Sequence, residues 1–215
     1  LAVIILGNED IANGRIHRIQ RTALSLLLNA KFGDQLPSKP EPYVPNDLTK
    51  FAGEFESKSY WAKIKLVDGK LVGDISGQPT YFSPTGELTF KANSRINDSS
   101  NVRFEENEGS AVIGFEMSGQ RYVRIPDNPT PLPSEWRSVL GSYGLDFIPL
   151  VITERHGHLY AMTENMVDYR LTPVNRNVCA LPPGMYTDEE VVFIPGGDGT
   201  IQAIDYANMV FKRRN

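Results

Sequence analysis

Trp61-Ala-Lys-Ile-Lys-Leu-Val-Asp-Gly-Lys-Leu-Val-Gly-Asp-Ile75 is two alternating runs placed around Asp68-Gly69. Alternation of apolar and polar residues at a period of two is the pattern of a half-buried strand, and Asp-Gly is a preferred two-residue hairpin turn because both positions need positive φ. Working outward, the same short alternating pattern predicts strands at Phe51–Glu56, Trp61–Val67, Lys70–Ile75, Thr80–Ser83, Glu87–Lys91, Val102–Glu105, Ala111–Met117 and Gln120–Ile125. No helix-period stretch longer than one turn interrupts them. Eight short strands in such a span predict a closed or nearly closed up-and-down antiparallel barrel, because closure removes the unpaired edges of an open sheet.

The pattern recurs downstream at an offset of 88, which aligns Pro45 with Pro133, Leu48 with Trp136, Gly53 with Gly141 and Phe55 with Tyr143. The same offset pairs Ile64 with Ile152, Gly69 with Gly157, Leu71 with Leu159 and Tyr81 with Tyr169. Once one or two residues are inserted, Val102 and Phe104 match Val191 and Phe193, Gly109 matches Gly199, and Tyr122 and Arg124 match Phe211 and Arg213. An ordered series with so little drift predicts an internal repeat, hence a second eight-stranded barrel. Asp198-Gly199 supplies a hairpin turn in it. Pro45-Asn-Asp-Leu48 and Pro133-Ser-Glu-Trp136 each read as a capped single turn plugging one end of a barrel.

Prolines mark the boundaries. They cluster at Pro37–Pro45 and Pro126–Pro133, and such polar, non-periodic stretches read as stiff linkers. The expected layout is a terminal piece at 1–34, a linker at 35–47, a first barrel at 45–125, a linker at 126–133 and a second barrel at 133–215. In the first piece, Leu1-Ala-Val-Ile-Ile-Leu6 is a continuous apolar run expected to be a strand buried on both faces. After Gly7-Asn8, with Asp10 or Asn13 as a cap, Ile16, Ile19, Ala23, Leu26 and Leu27 recur at helical spacing with Arg15, Arg18 and Arg21 off the stripe. Gly33 is placed to end that helix. One strand and one amphipathic helix enclose no core, so the piece is expected to complete a sheet outside the two barrels, in a separate domain or through a second copy of the chain.

Composition narrows the function classes. Of 215 residues, 22 are Lys or Arg and 26 Asp or Glu, a formal charge of −4 that argues against a nucleic-acid footprint. The longest apolar run falls far short of the ~20 residues a bilayer span needs, and no charged segment precedes an apolar one as in a signal peptide. With one cysteine, Cys179, neither an internal disulfide nor a cysteine-based zinc site can form.

Few residues suggest chemistry. His156-Gly157-His158 resembles a metal pair, but aligns with Asp68-Gly69-Lys70 and so reads as a hairpin tip; two imidazoles in a turn make a poor metal site. His17 falls on the polar side of the helix. Gly196-Gly197-Asp198-Gly199 precedes a strand, not a helix, and lacks the helix terminus of a phosphate cradle. Glu105, Glu106 and Glu108 are expected on a solvated face, and Cys179 as a small buried hydrophobe. Neither Ser-x-x-Lys, Gly-x-Ser-x-Gly nor Lys-Thr-Gly occurs. Aromatic residues, among them Tyr60, Phe82, Phe90, Tyr143 and Phe147, fill a core or line a cavity; Trp61, Tyr81, Tyr160 and Tyr169 are the candidate ligand contacts. No cofactor or metal is expected.

The run Leu1–Asn8 followed by an amphipathic helix resembles the closing strand and helix of the penicillin-binding-protein-like serine hydrolases, the class C β-lactamase superfamily. The proline linkers and paired Gly-x-aromatic barrels resemble the lipocalin-like C-terminal domains carried by D-aminopeptidase- and esterase-like members. The resemblance implies a serine hydrolase domain as partner and an extracytoplasmic or periplasmic setting. None of that family's catalytic residues maps onto a position here, so the chain is expected to be a non-catalytic accessory region that shapes or restricts substrate access. The alternative is a binding module, each barrel holding a small apolar or peptide-like ligand.

Overall fold

The computed structural model describes residues 1–8, 12–36, 38, 41, 43–163, 165–183, 189–197 and 199–214. They fall into two compact units, residues 1–53 with 63–119 and residues 54–62 with 120–215.

Helix α1 (Asn13–Phe32) is built from Leu, Ala, Arg and Gln, all good helix formers. It ends where the sequence places its stop: Gly33 takes the left-handed conformation, φ 72°, and its N–H donates to the Asn29 carbonyl at 2.9 Å. The start differs, because Ala12 precedes the helix without a side-chain cap and Asn13 is already helical. Asp10 lies outside the described residues. Near its start, Gly14 donates to the Arg95 carbonyl at 2.7 Å, and a Cβ there would lie 2.5 Å from the Ser94 carbonyl oxygen. Arg18 Nε reaches Asp98 Oδ1 at 3.3 Å and Arg21 pairs with the same carboxylate. The helix is thus held by its basic side, and Ile19, Leu26, Leu27 and Phe32 are exposed.

The strand expected at Leu1–Leu6 is not formed among the described residues: 1–8 carry no regular structure, with Ile4 84% and Leu6 92% exposed. A strand needs an unpaired edge, and the nearby barrel offers none.

That barrel matches the expected one. Strands β1 (Gly53–Glu56), β2 (Trp61–Val67), β3 (Lys70–Ile75), β4 (Gln78–Pro84), β5 (Thr89–Asn93), β6 (Ser100–Glu106), β7 (Val112–Met117) and β8 (Gln120–Arg124) pair in sequence order. β8 closes on β1 with Phe55 opposite Arg124. Alternation is visible in β4, where Gln78, Thr80 and Phe82 are buried while Pro79, Tyr81 and Ser83 are exposed. The 3-10 turn Thr49–Phe51 delivers Phe51 to the core, 4.9 Å from the Phe90 ring and 4.7 Å from Phe104, which lies 5.2 Å from Phe115. The turn thus lies at Thr49–Phe51, just after the expected Pro45–Leu48, and Phe51, expected in the first strand, is the residue it buries.

The second eight-stranded barrel is a correction. Residues 141–212 instead form β9 (Gly141–Leu145), β10 (Ile148–Arg155), β11 (His158–Met162), β12 (Asp168–Arg170), β13 (Thr172–Asn175), β14 (Val178–Ala180), β15 (Glu190–Pro195), β16 (Ile201–Tyr206) and β17 (Met209–Lys212). They make a four-stranded sheet in the order β12-β11-β10-β9 and a five-stranded sheet running β13 to β17. An isolated bridge joins Tyr143 of β9 to Arg213. Many elements keep the offset: β9 and β11 begin 88 residues after β1 and β3, and β16 and β17 begin 89 after β7 and β8. Asp68 and Gly69 have φ 48° and 70°; His156 and Gly157 have 50° and 81°. The departure lies at the fourth strand, which divides at Leu171. Arg170 N donates to Ser59 O at 2.9 Å, so the turn after β1 takes the outer edge of β12. Pro173 has no N–H to give, and the β13–β14 register shifts between Pro173 and Asn175.

Candidate functional site

Within the second unit, Glu56 at the end of β1 is the center of a buried polar cluster. Its side chain is only 6% exposed; it accepts hydrogen bonds from His158 Nδ1 and the Tyr160 hydroxyl, and it pairs with the Arg170 guanidinium, whose Nη1 lies 3.2 Å away and donates to the Ser57 carbonyl. Burial alone would push the Glu56 carboxyl up; the His158 and Tyr160 hydrogen bonds and the charges of Arg170 and His158 outweigh it and hold the group below its ordinary value. The carboxylate is therefore ionised at neutral pH, and Nδ1 of His158 is the donor. Burial, then the Glu56 charge and hydrogen bond, push the Tyr160 phenol up, which keeps it a donor. One residue along the hairpin, His156 Nε2 lies 2.5 Å from Glu54 Oε2, and His156 Nδ1 is buried without a hydrogen-bond partner.

Beside this cluster runs the proline segment that separates the repeats. Ile125, Pro126, Pro129, Pro131 and Pro133 wall a cleft of about 370 Å³ whose other side is Glu56, His156 and His158. The segment passes so close to the hairpin that a Cβ on Gly157 would run into the Thr130 carbonyl. Gly157 is thus required twice, by its left-handed φ and by that approach.

Of the four candidate contacts, three fall in this unit. Trp61 is buried, donates from Nε1 to Asp168 Oδ2 at 2.7 Å and carries the Arg155 guanidinium 3.8 Å from its ring center. Tyr160 joins the Glu56 cluster, and Tyr169 is buried 6.1 Å from the Tyr60 ring, its hydroxyl accepting from Asn165 Nδ2 at 3.0 Å. Tyr81 belongs to the other unit and is 59% exposed on β4. Trp61 and Tyr169 are committed to structural bonds and do not line the cleft.

Glu56 and Arg170 were not singled out by sequence reasoning and His158 was read only as part of a hairpin tip, although the offset holds a signal. Arg170 stands 88 residues after Phe82, and Asp168 after Thr80, both buried in the first barrel. A charge at a position buried in the other repeat demands a partner. Glu106 also departs from a solvated role: Lys50 Nζ lies 2.7 Å from it and 3.2 Å from Glu87. Glu108 is exposed as expected, as is His17. Cys179 is fully buried, and desolvation pushes its thiol up to about 12. Gly196 and Gly199 lie in the connection of β15 to β16, Gly196 N donating to Thr200 O at 2.7 Å, while Asp198 is outside the described residues. Tyr206 ends β16, and Ala207 and Asn208 make the β16–β17 turn with positive φ.

Among the described residues no group of three or more His, Cys, Asp or Glu could hold a metal ion, and no helix is long and apolar enough to cross a membrane. No protein-family model and no curated protein matches the chain.

Proposed function

We propose that this chain is a non-catalytic module of a penicillin-binding-protein-like serine hydrolase, seated against the hydrolase domain through α1 and Leu1–Leu6 and limiting which substrates reach its catalytic center. The uncovered apolar face of α1 carries the reading. Arg18 and Arg21 of the helix pair with Asp98, while Ile19, Leu26, Leu27 and Phe32 are exposed, as are Ile4 and Leu6 in the preceding segment. Covering such side chains gains ~1.5–3 kcal/mol each, which favors a contact with another protein. The resemblance in sequence of Leu1–Asn8 and the following helix to the closing elements of such a hydrolase domain is what suggests that domain as the partner.

The packed phenylalanines of the first barrel favor this reading over carriage of a ligand inside it. Phe51, Phe90, Phe104 and Phe115 occupy the space such a ligand would need, with successive rings about 5 Å apart.

The coding sequence upstream of Leu1, or of the neighboring reading frame, should contain Ser-x-x-Lys and Tyr-x-Asn. The protein bearing both parts should hydrolyse small esters and amides at a rate that removal of residues 45–215 leaves unchanged, while bulky substrates gain at least about tenfold in kcat/KM. A hydrolase motif absent from both places, or equal gains for small and bulky substrates, overturns the proposal.

A further inference from the structure

The cleft beside Glu56 is short of hydrogen-bond donors. Pro126, Pro129, Pro131 and Pro133 have no N–H, the Ile125 N–H donates to Glu54 O at 2.8 Å, and the Gly157 N–H donates to Glu154 Oε1 at 2.7 Å. His156 Nε2 is taken up by Glu54, and His158 Nδ1 by Glu56. Acceptor capacity, in contrast, remains. A carboxylate accepts about four hydrogen bonds. Glu56 receives those of His158 and Tyr160 and has the Arg170 guanidinium beside it, which leaves a lone pair over. The walls set a second requirement. One is made of Ile125 and the proline rings, and the two imidazoles lie on the other side. Saturated rings meet an aromatic face through their C–H groups, and an imidazole stacks on such a face when neutral and attracts it when charged. The match to an aromatic ring therefore holds in either protonation state of the histidines.

We propose that this cleft binds a small phenol, its hydroxyl donating to Glu56 and its ring held between the prolines and the imidazoles. The hydroxyl supplies the donor that the lining lacks, and the ring matches both walls. Selection rests on the donor and the ring, and ligand charge plays no part, since a phenol of pKa about 10 is neutral at neutral pH. The volume, about 370 Å³, is within the range of small-molecule sites. Gly157 keeps the strap close to the hairpin, so the two walls are already in place before a ligand arrives. The site belongs wholly to the second unit and does not rest on the hydrolase reading.

Phenol, anisole and cyclohexanol separate the two requirements: anisole keeps the ring and loses the donor, and cyclohexanol does the reverse. The full chain, isotope-labelled, is titrated with each at neutral pH and followed by NMR. Phenol should give saturable shifts centred on Thr130, Gly157 and His158 with a dissociation constant near ~1 mM, and anisole and cyclohexanol should each bind at least about fivefold more weakly. Glu56→Gln leaves a neutral acceptor in place of a charged one and should cut phenol affinity by about fivefold. If that variant unfolds, the three-ligand comparison on the unaltered chain decides alone. Anisole or cyclohexanol binding as well as phenol, a folded Glu56→Gln with phenol affinity unchanged, shifts centred elsewhere, or no saturation by phenol at about 10 mM would each overturn the proposal.

Discussion

Replacing Glu56 with Gln keeps the shape of the side chain, removes its charge and turns one acceptor oxygen into an NH2 donor. Two hydrogen bonds, from the Tyr160 hydroxyl and His158 Nδ1, and the Arg170 guanidinium 3.2 Å away meet that charge. A hydrogen bond to a charged group contributes ~1.5–3 kcal/mol and a neutral one ~0.5–1.5, so the substitution costs about 1 kcal/mol for each of the two bonds, and leaving Arg170 without its counter-charge brings the total to ~3 kcal/mol. That agrees with the ~3–5 kcal/mol expected when a buried ion pair loses one partner. In a unit of this size each kcal/mol moves the midpoint by ~4–8 °C, so the unfolding temperature should fall by ~12–24 °C. Both tryptophans, Trp61 and Trp136, lie in the second unit, so their fluorescence during denaturation reports the affected part. pH adds a second readout. Because the folded carboxyl is held below its ordinary value, its stabilisation is complete above about pH 4.5 and is lost as pH falls through the folded pKa. The gap between Glu56→Gln and the unaltered chain should therefore narrow on acidification. A loss below ~1 kcal/mol at neutral pH, or a gap that stays constant into acid, would refute the account of Glu56 as a buried, charge-paired carboxylate.

Gly69→Ala and Gly157→Ala make a matched pair, since both glycines have positive φ but only Gly157 faces a carbonyl; calorimetry should show a loss of ~1 kcal/mol for the first and ~3 kcal/mol or more for the second. Tyr160→Phe should cost ~1.5–3 kcal/mol in urea denaturation, and far less once Glu56 is already Gln, because the two groups share one bond. Asp98→Ala should release the basic side of α1, seen as faster amide exchange and proteolysis in residues 13–32, with a change in global stability below ~1 kcal/mol. The Cys179 thiol, raised to about 12 by burial, should stay inert to a thiol reagent at neutral pH and react at full rate only in denaturant.

The local features were legible in the sequence because they depend on a few adjacent residues. Asp68-Gly69 forms the expected hairpin, His156-Gly157 repeats its backbone conformation, and Gly33 ends α1. The closed first barrel followed from period-two alternation. What could not be read this way rests on long separations. Glu56 meets His158 and Tyr160 more than a hundred residues away, and no periodicity announces such a meeting. The division of the fourth strand at Leu171 depends on Ser59 O occupying the Arg170 N–H, again a distant partner. Leu1–Leu6 misled for a different reason: an apolar, β-branched run states a preference for a sheet, but a sheet edge must be present to satisfy it.

The separation between Glu56 and its partners also has a meaning in time. Tyr160 is made 104 residues after Glu56, which at ~5–20 residues per second is a delay of roughly 5–20 s on the ribosome. Through that interval the carboxylate has none of its three partners and must remain hydrated, so the end of β1 cannot settle into its final surroundings while the chain is growing. Translation speed through residues 125–170 then sets how long a half-finished molecule is exposed to proteases and chaperones, and synonymous codons there become a means of changing yield without altering a single side chain.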